Sequence, residues 1–302
     1  MFFYLEWLDK RPNKIELLKD EPQEINFQIP FKIKKDKYIL CGNINPDFRT
    51  YYPPPKLEYT KNQYLLSHLQ KSVRRMDDIK SVQTAKHLID LDCTSFLRRL
   101  PIIMLEDVTI HESIVVIVWL MIADSKKYPL KIEMMKWLLG VVYYLSNETL
   151  KTHYLKEEDE YEWDERNTTD EVNILLKTLR FRKAYGGMKG DMQMIEYYLG
   201  LILRNDIHIQ TSKIPLVKPF MSNLSKKDWI YEANDFHCNR YIIDRIQQYY
   251  PRYKKEYLKT LIWKFSSSLN KRESVVNDTK QEEDWDIIKG GVKKIQKSCK
   301  YY

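Results

Sequence analysis

Apolar residues recur at helical spacing through most of the chain after Lys61. Leu65, Leu69 and Val73 follow one another at four-residue intervals, and this stripe predicts an amphipathic helix. Comparable patterns predict further helices over 79–91, 96–104, 112–123, 131–145, 192–204, 241–249 and 257–268. Because the segment 112–123 is apolar on all sides, it is expected to be a central, fully buried helix.

One break is expected inside this run of helices. Asp92, Cys93 and Thr94 interrupt the pattern after 79–91, and Thr94 or Ser95 is a plausible N-cap for the next helix. Pro101 lies inside that next pattern, where it must either kink the helix or fall within its first turn.

The amino-terminal part has a different pattern. Apolar and polar residues alternate roughly over 25–41, as at Phe31, Ile33 and Tyr38, and this predicts a short, half-exposed β-hairpin. Prolines 53–55 then stop regular structure, because proline lacks an amide donor and restricts the preceding residue. The expected fold class is therefore mainly α: a two-lobed helical bundle with a small N-terminal β-containing segment.

The chain is expected to have five parts. They are an N-terminal β-containing extension (1–60), a first helical lobe (61–155), an acidic linker (156–170), a second helical lobe (171–273) and a basic C-terminal tail (274–302). The linker is predicted because seven of the ten residues from Lys156 to Glu165 are acidic, a density that favours an exposed segment. The last fourteen residues contain five lysines and no acid, which indicates a cationic tail or a terminal helix with one basic face.

Composition restricts the class of protein. A chain of 302 residues with 43% hydrophobic and 30% charged residues can bury a sizeable core. The net charge of +8 permits a polyanionic partner without requiring one. Four scattered cysteines without a CxxC pair are typical of reduced thiols. The longest apolar run, from Ile114 to Ala123, is too short to span a bilayer, which takes about 20 helical residues. We therefore expect a soluble, intracellular protein without a membrane partner, located in the cytoplasm, the nucleus or a virion.

Basic residues flank the apolar stripe of the first predicted helix. Lys71, Arg74 and Arg75 lie off that stripe and are expected to form a basic face, and Arg98 and Arg99 follow on a later helix. Two interpretations are open. The arginine pair can hold the bundle together through Glu106, Asp107 or other acids at helix ends. Alternatively, all five cations converge into a patch that contacts phosphates.

This region also resembles a known family. The order Lys71-Ser72-Val73-Arg74, then Arg98-Arg99, then Glu106-Asp107-Val108 resembles the C-terminal helical part of the replication-associated AAA+ ATPases. These are the bacterial RarA/MgsA proteins and the eukaryotic Werner-helicase-interacting protein, which are related to clamp-loader collars. The likeness covers residues 65–122 and implies a helical module for oligomerisation or nucleic-acid association. The chain has no Gly-Lys-Ser or Gly-Lys-Thr phosphate loop, so the resemblance does not extend to ATP hydrolysis.

A second basic segment precedes the helix predicted over 192–204. It contains the further nucleic-acid candidates Arg180, Arg182, Lys183 and Lys189, with Gly186, Gly187 and Gly190 among them. Backbone amides of such a loop can hold a phosphate, and its arginine and tyrosine side chains can stack on unpaired bases. Asp191 at the expected helix start opposes a second anion, and a tight turn with solvated flanks is the alternative.

Asp235, His237 and Cys238 form a weak metal candidate. Carboxylate, imidazole and thiolate groups all bind zinc, but their spacing is poor and no second cluster accompanies them. The alternative is a helix N-cap at Asp235.

These observations lead to three functional hypotheses. The first is a non-catalytic, self-associating accessory protein of DNA replication or repair that binds DNA or RNA. The second is a structural or interaction protein of a large, possibly viral, assembly, and the third is a metal-dependent enzyme that uses the region of Asp235 and His237. No cofactor is expected, and without a complete catalytic constellation the balance is against an enzyme.

Overall fold

A mainly helical body follows a four-stranded sheet, and this confirms the predicted fold class. The computed structural model describes residues 1–154, 168–218, 224–234, 240–273 and 278–298. The strands are β1 (Phe2–Trp7), β2 (Lys14–Leu18), β3 (Phe27–Ile33) and β4 (Asp36–Ile44). The helices are α1 (Asn62–Arg74), α2 (Asp78–Asp107), α3 (Ile114–Ser125), α4 (Ile132–Asn147), α5 (Asp170–Ala184), α6 (Lys189–Leu203), α7 (Lys226–Asn234), α8 (Arg240–Tyr249), α9 (Lys255–Ile262) and α10 (Thr279–Ser298).

The sheet has the strand order β2-β1-β4-β3. β3 and β4 form the predicted hairpin, whereas β1 and β2 were not predicted. β1 lies in the middle of the sheet and is buried over Phe3–Leu5, so its sequence lacks the alternation of a half-exposed strand. β1 runs parallel to β4, with Phe2 opposite Ile39 and Trp7 opposite Ile44. The β3–β4 turn and the β1–β2 turn therefore lie at opposite ends of the sheet.

The predicted break in the second helix occurs at Asp92. This residue has φ −157° and ψ 79° inside α2, so the helix is kinked there. Asp92 Oδ1 accepts a hydrogen bond from the Ser95 amide at 2.9 Å. The cap is therefore Asp92 rather than Thr94 or Ser95, because the carboxylate reaches the amide three residues later. Pro101 lies more than two turns beyond this break.

The buried hydrophobic residues form two clusters. The larger one joins the sheet to α1–α7 and has α3 near its centre, where Ile114–Ala123 are all buried as predicted. Trp119 of α3 donates from Nε1 to the Phe3 carbonyl at 3.1 Å, which ties the sheet to the helices. The smaller cluster unites α8, α9 and α10. Buried contacts thus cross both the predicted linker and the predicted start of the tail, and the five-part division stays a prediction.

Helix lengths and hydropathy bear on membrane insertion. Within the described parts of the chain, no helix is both long enough and apolar enough to cross a bilayer.

Candidate nucleic-acid interface

The structure places the first group of predicted phosphate-binding residues inside the protein. Lys71 is 1% exposed and Arg74 is 5% exposed, while Arg75 is partly buried. These residues do lie off the apolar stripe of α1, as predicted. However, α7 and the segment 266–272 cover that side of the helix, so the expected exposed basic face on α1 is wrong for Lys71 and Arg74.

Arg74 is the centre of an internal ion-pair network. Its Nε donates to Asp107 Oδ1 at 2.6 Å, and its Nη2 donates to Glu106 Oε1 at 3.1 Å. Gln70 Nε2 donates to both carboxylates, at 2.8 Å and 2.9 Å. Burial and the nearby Asp107 raise the pKa of Glu106 despite Arg74 and Arg99. We call Gln70, Arg74, Arg99, Glu106 and Asp107 the buried network.

Arg99 belongs to the same network. Its guanidinium hydrogen-bonds to Gln70, lies 3.9 Å from Glu106 and pairs with Asp191 at 3.3 Å. This geometry agrees with the interpretation in which the arginine pair holds helices together. Arg99 thereby joins α2 to α1 and to the first turn of α6.

Lys71 and His68 meet α7 on the neighbouring side of α1. Lys71 Nζ donates to the Glu232 carbonyl at 2.5 Å, and Lys80 pairs with the Glu232 carboxylate at 2.6 Å. His68 Nε2 lies 3.3 Å from the same carboxylate, and His68 Nδ1 lies 2.9 Å from the Thr84 hydroxyl. A hydroxyl, an imidazole and a carboxylate in this order can serve nucleophilic catalysis. Here His68 and Thr84 are fully buried, so this arrangement is closed to solvent.

Arg98 and Arg182 meet at the carboxyl end of α5. Arg98 is exposed and donates from Nη2 to the Tyr185 carbonyl at 2.5 Å. Arg182 is buried, donating from Nε to the Arg98 carbonyl at 2.8 Å and from Nη1 to the Gly186 carbonyl at 2.8 Å. Burial and the neighbouring Arg98 lower the pKa of Arg182 to about 10. Arg182 is therefore a structural side chain rather than part of an exposed patch, and Arg98 stays on the surface.

The other members of the second predicted group lie on α5 and α6. Arg180 and Lys183 are helical, whereas the sequence interpretation placed them in a loop. Arg180 and Lys189 are exposed, and Lys183 pairs with Glu196. The predicted turn is present after α5, where Gly186 has φ 75°.

A group of exposed lysines, which the sequence interpretation did not propose as nucleic-acid candidates, lies on the β3–β4 hairpin. Lys32, Lys34, Lys35 and Lys37 are all exposed, with Asp36 among them. The hairpin packs on α5 through aromatic rings: Phe31 stacks on Tyr38 at 5.3 Å between centroids, and both contact Phe181. Lys177 of α5 lies 5.8 Å from the Tyr38 ring. These contacts hold the hairpin against α5.

The turn after α3 packs against the other end of β3. Lys126 and Lys127 are exposed, and Tyr128 stacks on Phe27 of β3 at 4.4 Å. Ser125 hydrogen-bonds to the Tyr185 hydroxyl at 2.9 Å, and Arg98 holds the Tyr185 carbonyl. Phe27 lies opposite Gly42, at the far end of β3 from the hairpin turn, so these cations are not part of the lysine group on the hairpin. We call the four exposed hairpin lysines, Lys32, Lys34, Lys35 and Lys37, the hairpin face.

The remaining candidates concern metal binding. Asp235, His237 and Cys238 lie outside the described residues. Within the described ranges, no group of three His, Cys, Asp or Glu side chains is arranged to hold a metal ion.

Comparisons with known proteins give no relative for this arrangement: no family model, curated protein or solved structure matches the chain.

Proposed function

We propose that this protein is a non-catalytic nucleic-acid-associated accessory protein that binds phosphate backbones with the hairpin face. The observation that carries the proposal is the group of four exposed lysines within the six residues 32–37 of the β3–β4 hairpin, which Phe31, Tyr38 and Phe181 hold on α5. A cluster of this kind raises the local potential far more than a net charge of +8 spread over the whole surface would.

The chemistry of the hairpin face favours the backbone over the bases. Phe31 is 3% exposed and Tyr38 is 8% exposed, so their rings are occupied by packing and cannot serve as stacking platforms. Lysine ammonium groups act as point charges towards phosphate and carry no base code. The proposed binding is therefore electrostatic, strongly dependent on salt and indifferent to sequence.

The resemblance over residues 65–122 supports the association with replication or repair, and it also supports self-association through the first helical lobe. Both belong to the proposal. A mass measurement in solution tests the self-association separately, and a monomer at about ten times the concentration used for binding would contradict it.

Salt-dependent binding tests the proposal directly. Fluorescent single-stranded DNA, double-stranded DNA and RNA of one length are titrated with the wild-type protein at several salt concentrations. The variant Lys32→Gln, Lys34→Gln, Lys35→Gln and Lys37→Gln is then measured in the same way. Its slope of log affinity against log salt is expected to fall by about 0.7 to 0.9 for each phosphate that these lysines no longer neutralise.

A matched control replaces three exposed lysines elsewhere. Lys10 lies in the β1–β2 turn at the opposite end of the sheet, and Lys254 and Lys259 lie at α9. Their joint replacement by glutamine should leave the salt slope unchanged.

β3 is an edge strand, and lysines on an edge also prevent pairing between sheets. A hairpin variant that binds nucleic acid with the wild-type salt slope, whether or not it aggregates, would contradict the proposal. A wild-type protein that does not bind nucleic acid at low salt would also contradict it.

A further inference from the structure

One recess of the described structure lies away from the hairpin face. A cavity of about 660 Å³ opens between the N-terminal turns of α3 and α5, the β1–β2 turn and the segment after α6. Because the β1–β2 turn is at the other end of the sheet from the hairpin, the cavity and the hairpin face are separate. Its volume falls within the range of small-molecule sites, about 300 to 1,000 Å³.

The cavity walls are mostly hydrophobic and are fixed in place. Trp137 and branched aliphatic side chains supply nine of the twenty lining residues, among them Ile15, Val116, Val172, Leu175 and Ile214. Two polar contacts anchor the segment after α6: His111 Nε2 lies 2.9 Å from the Ser212 carbonyl, and Arg11 Nε donates to the Ile214 carbonyl at 3.0 Å. The recess is therefore preformed and favours an apolar ligand body.

One buried polar group in the lining has no partner. Ser113 is 4% exposed, and its Oγ makes no hydrogen bond to any residue that the structure describes. Although Ser113 occupies the N-cap position of α3, its side chain caps nothing. Its own amide is bonded instead to His111 Nδ1 at 3.0 Å. A buried hydroxyl without a partner costs about 1 to 3 kcal/mol, which a ligand atom would offset.

Arg11 is the group in the lining that favours an anionic ligand part. The lining also contains Lys14, which pairs with Glu16 at 2.9 Å, and Lys213, together with the carboxylates of Glu112 and Glu171. The hydrogen bond from Arg11 Nε to the Ile214 carbonyl orients the guanidinium and holds Arg11 at the cavity. Planar guanidinium groups suit carboxylates especially well.

We infer that this cavity binds a small amphipathic anion, with an apolar body against Trp137 and Val116 and a carboxylate near Arg11. Ser113 supplies a further hydrogen bond to the polar part of the ligand. This site is independent of the proposed nucleic-acid binding.

Calorimetric titration of the full chain with three probes of equal chain length tests the inference. Octanoate is expected to bind with one site per chain, and octan-1-ol and octylammonium to bind at least about tenfold more weakly, which is the effect of one charge-assisted hydrogen bond. Arg11→Gln should weaken octanoate about tenfold more than it weakens octan-1-ol. Lys19→Gln, at an exposed lysine outside the lining, is the matched control.

Two further variants locate the binding. Thr211→Trp adds bulk at an exposed lining position without disturbing the core, and it should abolish octanoate binding. Ser113→Ala removes the unpartnered hydroxyl, so it should weaken octanoate severalfold without lowering the melting temperature of the free protein. Equal binding of the three probes, absence of octanoate binding at millimolar concentration, or octanoate binding that ignores Thr211→Trp would overturn the inference.

Discussion

The buried network and the hairpin face use the same kind of residue for opposite purposes. In the buried network, Arg74 lies 2.6 Å from Asp107 and 3.1 Å from Glu106, and other elements of the protein cover it. On the hairpin face, Lys32 and Lys35 are exposed, and their charge is directed to solvent. A cation that has lost its water must be neutralised internally, whereas a solvated cation keeps a field that reaches a partner.

The comparison shows that the position of a cation on a helix does not decide its role. Arg74 and Lys71 lie off the apolar stripe of α1, where an isolated amphipathic helix would face water. They become internal because Glu232 on α7 and the segment at Ser267 pack against that side. The covering element, rather than the helix itself, turns candidate ligand-binding residues into structural ones.

Breaking the buried network should have the largest effect. Arg74→Gln leaves Asp107, which is 2% exposed, as a buried carboxylate without its cation. The free energy of unfolding is expected to fall by about 3 to 5 kcal/mol, measured by urea denaturation. Lys32→Gln, on the hairpin face, should change it by less than about 0.5 kcal/mol.

An apolar replacement sharpens this prediction. In the double variant Arg74→Met and Asp107→Leu neither charge is left unpaired, so its stability should exceed that of Arg74→Gln. If Arg74→Gln alone is as stable as the wild type, the pair of Arg74 and Asp107 is not buried in solution.

A second disruption concerns Arg272, which connects the C-terminal part to the ends of α1 and α4. Its guanidinium donates to the carbonyls of Glu148 and Val73, at 2.7 Å and 2.9 Å, and also to the Leu145 carbonyl. Arg272→Ala removes these bonds, and we expect the free energy of unfolding to fall by about 1.5 to 3 kcal/mol in urea denaturation. Lys271→Ala, at the exposed neighbouring position, is the control, and an equal decrease in both variants would contradict a specific role for Arg272.

Acid should weaken the contact between α1 and α7. Burial by itself raises the pKa of Glu232, but its hydrogen bonds with His68 and Lys80 and its ion pair with Lys80 outweigh this and lower the pKa to about 2. Because the folded pKa lies below the unfolded one of about 4.3, the carboxylate stabilises the fold above pH 4.3. This contribution is lost as the pH falls from there towards 2. The free energy of unfolding of Glu232→Gln should therefore depend less on pH in this window than that of the wild type, and parallel curves would count against the prediction.

Local sequence patterns were enough to predict the helices that carry an apolar stripe, the β3–β4 hairpin and the buried α3. The break in α2 was also predictable, because Asp92 competes for a backbone amide. β1 was not predictable, because a strand buried within the sheet lacks the alternation of apolar and polar residues. α5 was missed because its charged positions, Arg180, Arg182 and Lys183, were interpreted together with the glycines that follow them.

The sequence alone could have revealed only part of the hairpin face and its setting. The four lysines between 32 and 37 are visible in the sequence, and they are typical of an exposed hairpin. The position of the hairpin on α5 depends on aromatic contacts such as that of Tyr38 with Phe181. Residues more than 140 positions apart make this contact, and no local pattern encodes it.

The most direct test compares one buried and one exposed change in the same binding measurement. Lys71→Met keeps the length of a buried side chain and removes its charge, while the fourfold glutamine variant of the hairpin removes exposed charge. The salt slope for nucleic-acid binding is expected to stay at the wild-type value in Lys71→Met. In the hairpin variant it should fall by about 0.7 to 0.9 for each phosphate left without its lysine. A slope that falls in folded Lys71→Met, and is unchanged in the hairpin variant, would contradict the division between structural and ligand-binding cations.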